Sequence, residues 1–266
     1  MRIAALQMVS TPDVARNLDA ARRLIAEAAV GGAELAALPE YFCLLGRSDT
    51  DKLGVAEAPG EGPIQAMLSA AAREHALWVV GGTLPMRIDG DATRVRNACC
   101  VFAPDGRLAA RYDKIHLFGF DNGRERYDES RVLEAGSEPV SLDLPPHALR
   151  LGLSVCYDLR FPELYRRLGA DLIAVPSAFT HTTGQAHWEL LLRARAIENQ
   201  AYVIAPAQGG RHENGRRTWG HSMIVDPWGQ VLGVRDEGEG VVLADVDPAR
   251  LAEVRRQLPA LAHRRL

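Results

Sequence analysis

Leu151-Gly152-Leu153-Ser154-Val155-Cys156-Tyr157-Asp158 runs from an apolar, strand-like segment into a turn, and Pro162-Glu163-Leu164 opens a helix-like stretch just beyond. In α/β enzymes the carboxyl end of a strand points its last side chain into a crevice. The free N–H groups of the turn that follows can hold a developing oxyanion. The segment therefore predicts an α/β fold with Cys156 as candidate nucleophile. It begins like a serine-hydrolase elbow, but the closing glycine is absent and the cysteine takes its place. Ser154 accordingly reads as a sheet-face residue.

A lone cysteine is weak evidence, because free cysteines are among the most often buried residue types. Cys43, Cys99 and Cys100 read as core residues, and the adjacent pair Cys99-Cys100 on one strand must point to opposite faces. Cys156 differs by its company. Glu40 ends the apolar run Leu35-Ala36-Ala37-Leu38-Pro39, where Tyr41-Phe42 could wall a pocket. Lys114 follows Leu108-Ala109-Ala110-Arg111-Tyr112 and precedes Ile115-His116-Leu117-Phe118. A charge flanked by apolar and aromatic residues is costly to bury unless it is paired or used. Three strand ends thus offer a base, a cation and a thiol.

A neutral thiol needs a base in reach or a nearby cation to become a nucleophile. Glu40 can supply the base and Lys114 the cation, and an oxyanion formed by attack of Cys156 could be held by Lys114 and the Tyr157 N–H. Arg160, four residues after Cys156, suits bidentate carboxylate binding; a structural salt bridge to Glu163 or Asp158 is the alternative. The loop Arg211-His212-Glu213-Asn214-Gly215-Arg216-Arg217 could bind a second acid group or be a solvated charge run.

The segments around Glu40, Lys114 and Cys156, the last continuing Asp158-Leu159-Arg160-Phe161-Pro162-Glu163, resemble the three signature blocks of the carbon–nitrogen hydrolase (nitrilase) superfamily in order, spacing and flanks. The resemblance extends over nearly the whole chain. It implies a catalytic set of Glu40, Lys114 and Cys156, with Glu129 of Tyr127-Asp128-Glu129-Ser130 as a second glutamate. The charges around Glu129 leave a surface reading open. Ala207-Gln208-Gly209-Gly210-Arg211-His212 and Gly220-His221-Ser222-Met223 are similar to the deaminated-glutathione amidase branch, with the ω-amidases next to it. That likeness implies cleavage of deaminated glutathione to 2-oxoglutarate and cysteinylglycine, with Tyr157, Arg160, Phe179 and Thr183 around the keto acid end. It also implies a four-layer α-β-β-α sandwich with two mixed β-sheets. A homodimer or larger homo-oligomer is expected, engaging a tail, Leu258 to Leu266.

The rivals are an ω-amidase acting on 2-oxoglutaramate, a carbamoylase or general aliphatic amidase, and, outside enzymes, a scaffold with a relic site. A relic has no chemical reason to keep all four residues. A thiol redox sensor lacks a resolving cysteine near Cys156 in sequence.

The remainder of the chain sets bounds. Its 266 residues, 47% hydrophobic and without a linker, low-complexity tract or long charge block, read as one domain spanning 1–266. No run approaches the ~18 apolar residues of a membrane span, and no signal-peptide pattern opens the chain. With Cys156 needed as a free thiol, this predicts a cytoplasmic protein. A net charge of −3 offers no general attraction to nucleic acid or anionic lipid. The eight histidines are scattered and no CxxC occurs, so neither metal nor cofactor is expected. His116 is expected to orient Lys114 or pack beside it. Gly81-Gly82 and Gly209-Gly210 read as turns or close backbone approaches, not phosphate loops. Along the chain, Thr11-Pro12 is expected to cap a first helix, another helix to span Ala186 to Asn199, and Ser222 to Asp226 to form a hairpin with Gln230 to Val234 about Pro227-Trp228-Gly229.

Overall fold

Strand periodicity sorts the apolar side chains into two cores. In the computed structural model, which describes residues 1–265, the first sheet has seven strands. Arg2–Gln7, Leu35–Ala37 and Trp78–Val80 run parallel through its middle. Gly240–Asp245 borders Arg2–Gln7 in antiparallel fashion. On the other side Asp91–Phe102 pairs antiparallel with Trp78–Val80, Leu84–Ile88 and Leu108–Asp113. In the six-stranded second sheet, Leu149–Leu153, Leu172–Ala174 and Tyr202–Ala205 are parallel. Ser141–Leu144 borders them on one side, and Ser222–Val225 with Val231–Arg235 on the other, all antiparallel.

Ile3, Ala5, Leu35, Ala37, Trp78, Val80 and Cys99 point into the core shared with the second sheet. Their neighbours Ala4, Leu6, Ala36, Val79 and Cys100 point into a separate core under helices Val14–Val30 and Pro63–His75. Strands buried on both faces must be apolar at every position, which is why these segments read as continuous hydrophobic runs. Helices Pro162–Leu168 and His181–Asn199 cover the outer face of the second sheet. The result is the four-layer α-β-β-α sandwich with two mixed sheets. Cys99 and Cys100 divide between the two cores as strand geometry requires.

Two helix starts differ from expectation. Asp13, not Thr11, caps the first helix by accepting from the Arg16 N–H. Thr11 instead accepts from the Asp13 N–H and is fixed by Asn17. The helix expected from Ala186 begins at His181, capped by the Thr180 hydroxyl. Thr182-Thr183-Gly184 has poor helix propensity, but a Cβ at Gly184 would lie 2.3 Å from Trp219, so close packing sets this residue and overrides propensity. An unforeseen helix, Pro248–Gln257, precedes the tail, which then turns; Leu266 lies outside the described residues.

Parallel strands of both sheets release the chain at one rim. Leu35–Ala37 leads to Glu40, Leu149–Leu153 to Cys156 and Leu172–Ala174 to Ala178, while Leu108–Asp113 delivers Lys114 to the same place. The Glu40 turn is pressed against Gly82, whose φ is +52° and where a Cβ would lie 2.1 Å from the Pro39 carbonyl. No helix among the described residues is long and apolar enough to cross a membrane.

Candidate active site

Cys156 adopts φ +48°, a left-handed conformation that costs a non-glycine residue about 1–3 kcal/mol and persists only where the surroundings enforce it. They do so here. The Cys156 N–H donates to the Pro176 carbonyl at 2.9 Å. The Val155 N–H donates to Asp158 Oδ2 at 2.8 Å. Asp158, fully buried, also accepts from the Tyr112 hydroxyl at 2.7 Å and the His116 N–H at 3.0 Å, and pairs with His116 Nδ1 at 2.7 Å. His116 in turn stacks on Phe161 with ring centroids 3.7 Å apart. His116 therefore braces the cysteine turn through Asp158 and does not orient Lys114. Ser154, buried between Tyr165 OH and the Ala174 carbonyl, is a sheet residue.

Beside the thiol, Lys114 Nζ lies 2.9 Å from Glu40 Oε1 and 3.1 and 2.8 Å from the two oxygens of Glu129. Glu129 is thus drawn inward, and its surface reading fails. Glu129 is further fixed by the Tyr41 hydroxyl at 2.6 Å and the Phe118 N–H at 2.7 Å. Glu40 accepts from Asn97 Nδ2 at 2.9 Å and from the Ala178 N–H at 3.0 Å, and shares a cavity wall with Cys156. Every oxygen of both carboxylates is held. Tyr41 is a pocket wall as expected, whereas Phe42 lies in the helix-covered core.

One buried cation serves two buried carboxylates, and the electrostatics follow. Burial pushes Glu40 above the usual carboxylate range, and the charge of Glu129 adds to this against the pull of Lys114. Burial works the same way on Glu129. There the lysine, the Phe118 N–H and Tyr41 outweigh it and hold the group below its ordinary value. Lys114 stays charged because the two carboxylates overcome its desolvation. Burial and Glu40 push the Cys156 thiol well up, so the resting pair is a thiol beside a carboxylate of raised basicity.

The cavity has two lobes meeting at Cys156, Phe118, Ala178 and Thr180. The smaller, about 210 Å³ counted to its mouth, is lined by Tyr157, Arg160, Phe179 and Thr183. Arg160 forms no salt bridge with Glu163 or Asp158. Its guanidinium lies over the rings of Tyr157 (5.8 Å) and Phe179 (5.4 Å) and touches His187 Nδ1 at 3.2 Å. The larger lobe, about 630 Å³ counted to its mouth, is walled by Asp49, Lys52, Tyr127, Arg216 and Arg217. Arg216 and Arg217 reach it from the hairpin of Gly209–Arg211 and Arg217–Trp219, but Arg211 is exposed and takes no part in the lining. Sequence reasoning missed Asn97, Ala178, Asp49 and Lys52. Asn97 sits between charged or apolar strand neighbours with no motif, and Ala178 acts through its backbone alone. All four cysteines are unbridged, and no group of His, Cys, Asp or Glu among the described residues could hold a metal ion.

The chain is 44% identical over 265 residues to a deaminated glutathione amidase of Synechocystis sp., covering 98% of this chain and 97% of that one. It is 38% identical over 268 residues to the omega-amidase NIT2 of Homo sapiens, covering 99% and 95%. Among solved structures it matches the NitFhit protein of C. elegans with TM-score 0.92 and 40% identity, over 99% of this chain and 65% of that chain. It also matches Saccharomyces cerevisiae Nit3, a nitrilase-superfamily member, with TM-score 0.89 and 30% identity over 100% and 97%. A carbon-nitrogen hydrolase family model matches residues 2–256. The chain belongs to the carbon-nitrogen hydrolase family and is an amidohydrolase acting on carbon–nitrogen bonds other than peptide bonds.

Proposed function

We propose that Cys156 cleaves the amide of an α-keto acid amide, foremost deaminated glutathione, releasing 2-oxoglutarate and cysteinylglycine. The observation that carries the mechanism is the single ammonium of Lys114 bridging Glu40 and Glu129 beside the thiol. Glu40 accepts the thiol proton as Sγ attacks the carbonyl carbon. The oxyanion is held by Lys114 and by the Tyr157 N–H in the first turn after the nucleophile. Collapse breaks the C–N bond and Glu40 protonates the departing amine. A water then gives its proton to Glu40, attacks the thioester and releases the acid, and the proton returns to the thiolate.

Glu129 holds the lysine and leaves Glu40 free to cycle between base and acid. Arg160, buttressed by Tyr157 and Phe179 and without a carboxylate partner among the described residues, binds the keto acid carboxylate in this reading, with Thr183 beside it. The amidase named for deaminated glutathione among the relatives supports this substrate. 2-Oxoglutaramate presents the same keto acid end, and the omega-amidase relatives make it the second reading. Four unbridged cysteines support a cytoplasmic setting. A homo-oligomer fits the exposed apolar Leu190, Ile197 and Trp228.

The test is 2-oxoglutarate release from the two amides side by side, with Cys156→Ala as control. Cys156-dependent preference for deaminated glutathione supports the reading, and preference for 2-oxoglutaramate makes the protein an ω-amidase. Silence on both points to a different aliphatic amide.

A further inference from the structure

Two surface segments meet over the larger lobe. Asn214 Nδ2 donates to the carbonyls of Leu45 (3.3 Å) and Gly46 (2.7 Å), and Arg216 Nη2 pairs with Asp49 at 2.9 Å while its guanidinium lies over the Tyr127 ring. The charges of this cap are largely spoken for. Arg216 is matched by Asp49 and Arg217 by Glu237 at 2.7 Å, and Asp128 accepts from the N–H and hydroxyl of Ser130. Lys52 differs. Its ammonium lies 5.1 Å from the centroid of the Tyr41 ring, and it makes no hydrogen bond or ion pair among the described residues. It is only partly exposed, and burial pulls it below the usual lysine range. A half-buried ammonium facing a cavity without a partner is a costly arrangement that an anion would relieve.

The chemistry says which anion. If Arg160 takes the acyl carboxylate in the small lobe, the scissile amide sits at Cys156 and the amine departs into the large one. We propose that Lys52, on the Asp51–Gly54 turn of helix, binds a carboxylate at the far end of the leaving amine and so selects dipeptide-bearing amides over those that release ammonia. This rests on the keto acid amide reading above, and Lys52 acts as a specificity residue.

The experiment compares wild type, Lys52→Met and Lys52→Arg on deaminated glutathione, on its analogue with the glycine carboxylate amidated, and on 2-oxoglutaramate. Lys52→Met is expected to lower the ratio of kcat/KM for deaminated glutathione to that for 2-oxoglutaramate about tenfold, the worth of one charge-assisted hydrogen bond. The loss should fall mainly in KM. Lys52→Arg should restore much of the ratio, and the amidated analogue should be handled alike by wild type and Lys52→Met. An unchanged ratio, or an analogue that wild type processes as well as the acid, overturns the assignment while leaving the keto acid amide reading standing. Wild-type silence on all three substrates overturns both. Turnover of 2-oxoglutaramate by the variant reports that it is folded.

Discussion

Glu40 has two tasks that pull its proton affinity in opposite directions: it must be ionised to accept the thiol proton and basic enough to want it. Burial and Glu129 raise its pKa above the ordinary 4.5. Catalysis needs the ionised form, so kcat/KM should fall as pH drops through a limb lying above 4.5, visible in a pH–rate profile. Glu40→Gln should lower kcat by about 10²–10⁴. Cys156→Ala should abolish turnover with an unchanged circular dichroism spectrum. The two glutamates should part company in stability. A carboxyl whose folded pKa is raised detracts from stability once it ionises, so Glu40→Gln should melt at or above the wild-type temperature at pH 7. Glu129 has a lowered pKa; its contribution is complete above its unfolded pKa and is lost as pH falls through its folded one. Glu129→Gln should therefore melt lower. Thermal melts of both variants at pH 7 check the signs, and the opposite order would refute this electrostatic account.

At the scale of elements, the cysteine turn depends on Asp158. Asp158→Ala strands the Val155 N–H and the Tyr112 hydroxyl in a dry interior and releases the half-buried His116, and should cost about 3 kcal/mol or more in denaturant unfolding. It should also depress kcat more than it raises KM, because the nucleophile is misplaced while the binding lobes remain. Glu40 and Cys156 were legible in the sequence because each ends an apolar segment, where a polar residue has no structural excuse, and Lys114 because apolar and aromatic residues follow it closely. Asn97 was not, because it lies within the long strand Asp91–Phe102, where nothing distinguishes a residue facing the rim from one facing solvent. Arg160 could be placed but not interpreted. Only the structure shows that Asp158 is already engaged and that no acid among the described residues reaches the guanidinium. The arginine loop was read as a unit, yet Arg216 and Arg217 line the cavity while exposed Arg211, though paired with Arg217 across the hairpin, does not.

For the whole molecule, the strand-to-turn segment at Cys156 foretold an α/β fold, but stacking of one sheet on the other is invisible to periodicity. A strand apolar on both faces looks the same whether a helix or a second sheet covers it, and the resemblance to a known family supplied that step. Sedimentation should report a dimer or larger assembly, and Trp228→Glu should shift it toward monomer; a monomeric wild type would remove the homo-oligomer from the proposal. The rim has a further meaning. Glu40, Asn97 and Lys114 ride on one sheet, Cys156 and Ala178 on the other, and the Ala178 N–H reaches across to Glu40 at 3.0 Å. Catalysis is therefore a gauge of how the two halves of the sandwich are seated. Under gentle heat or low denaturant, turnover should fade while each sheet still gives its full spectroscopic signal, as a lock stops turning long before the door comes off its hinges.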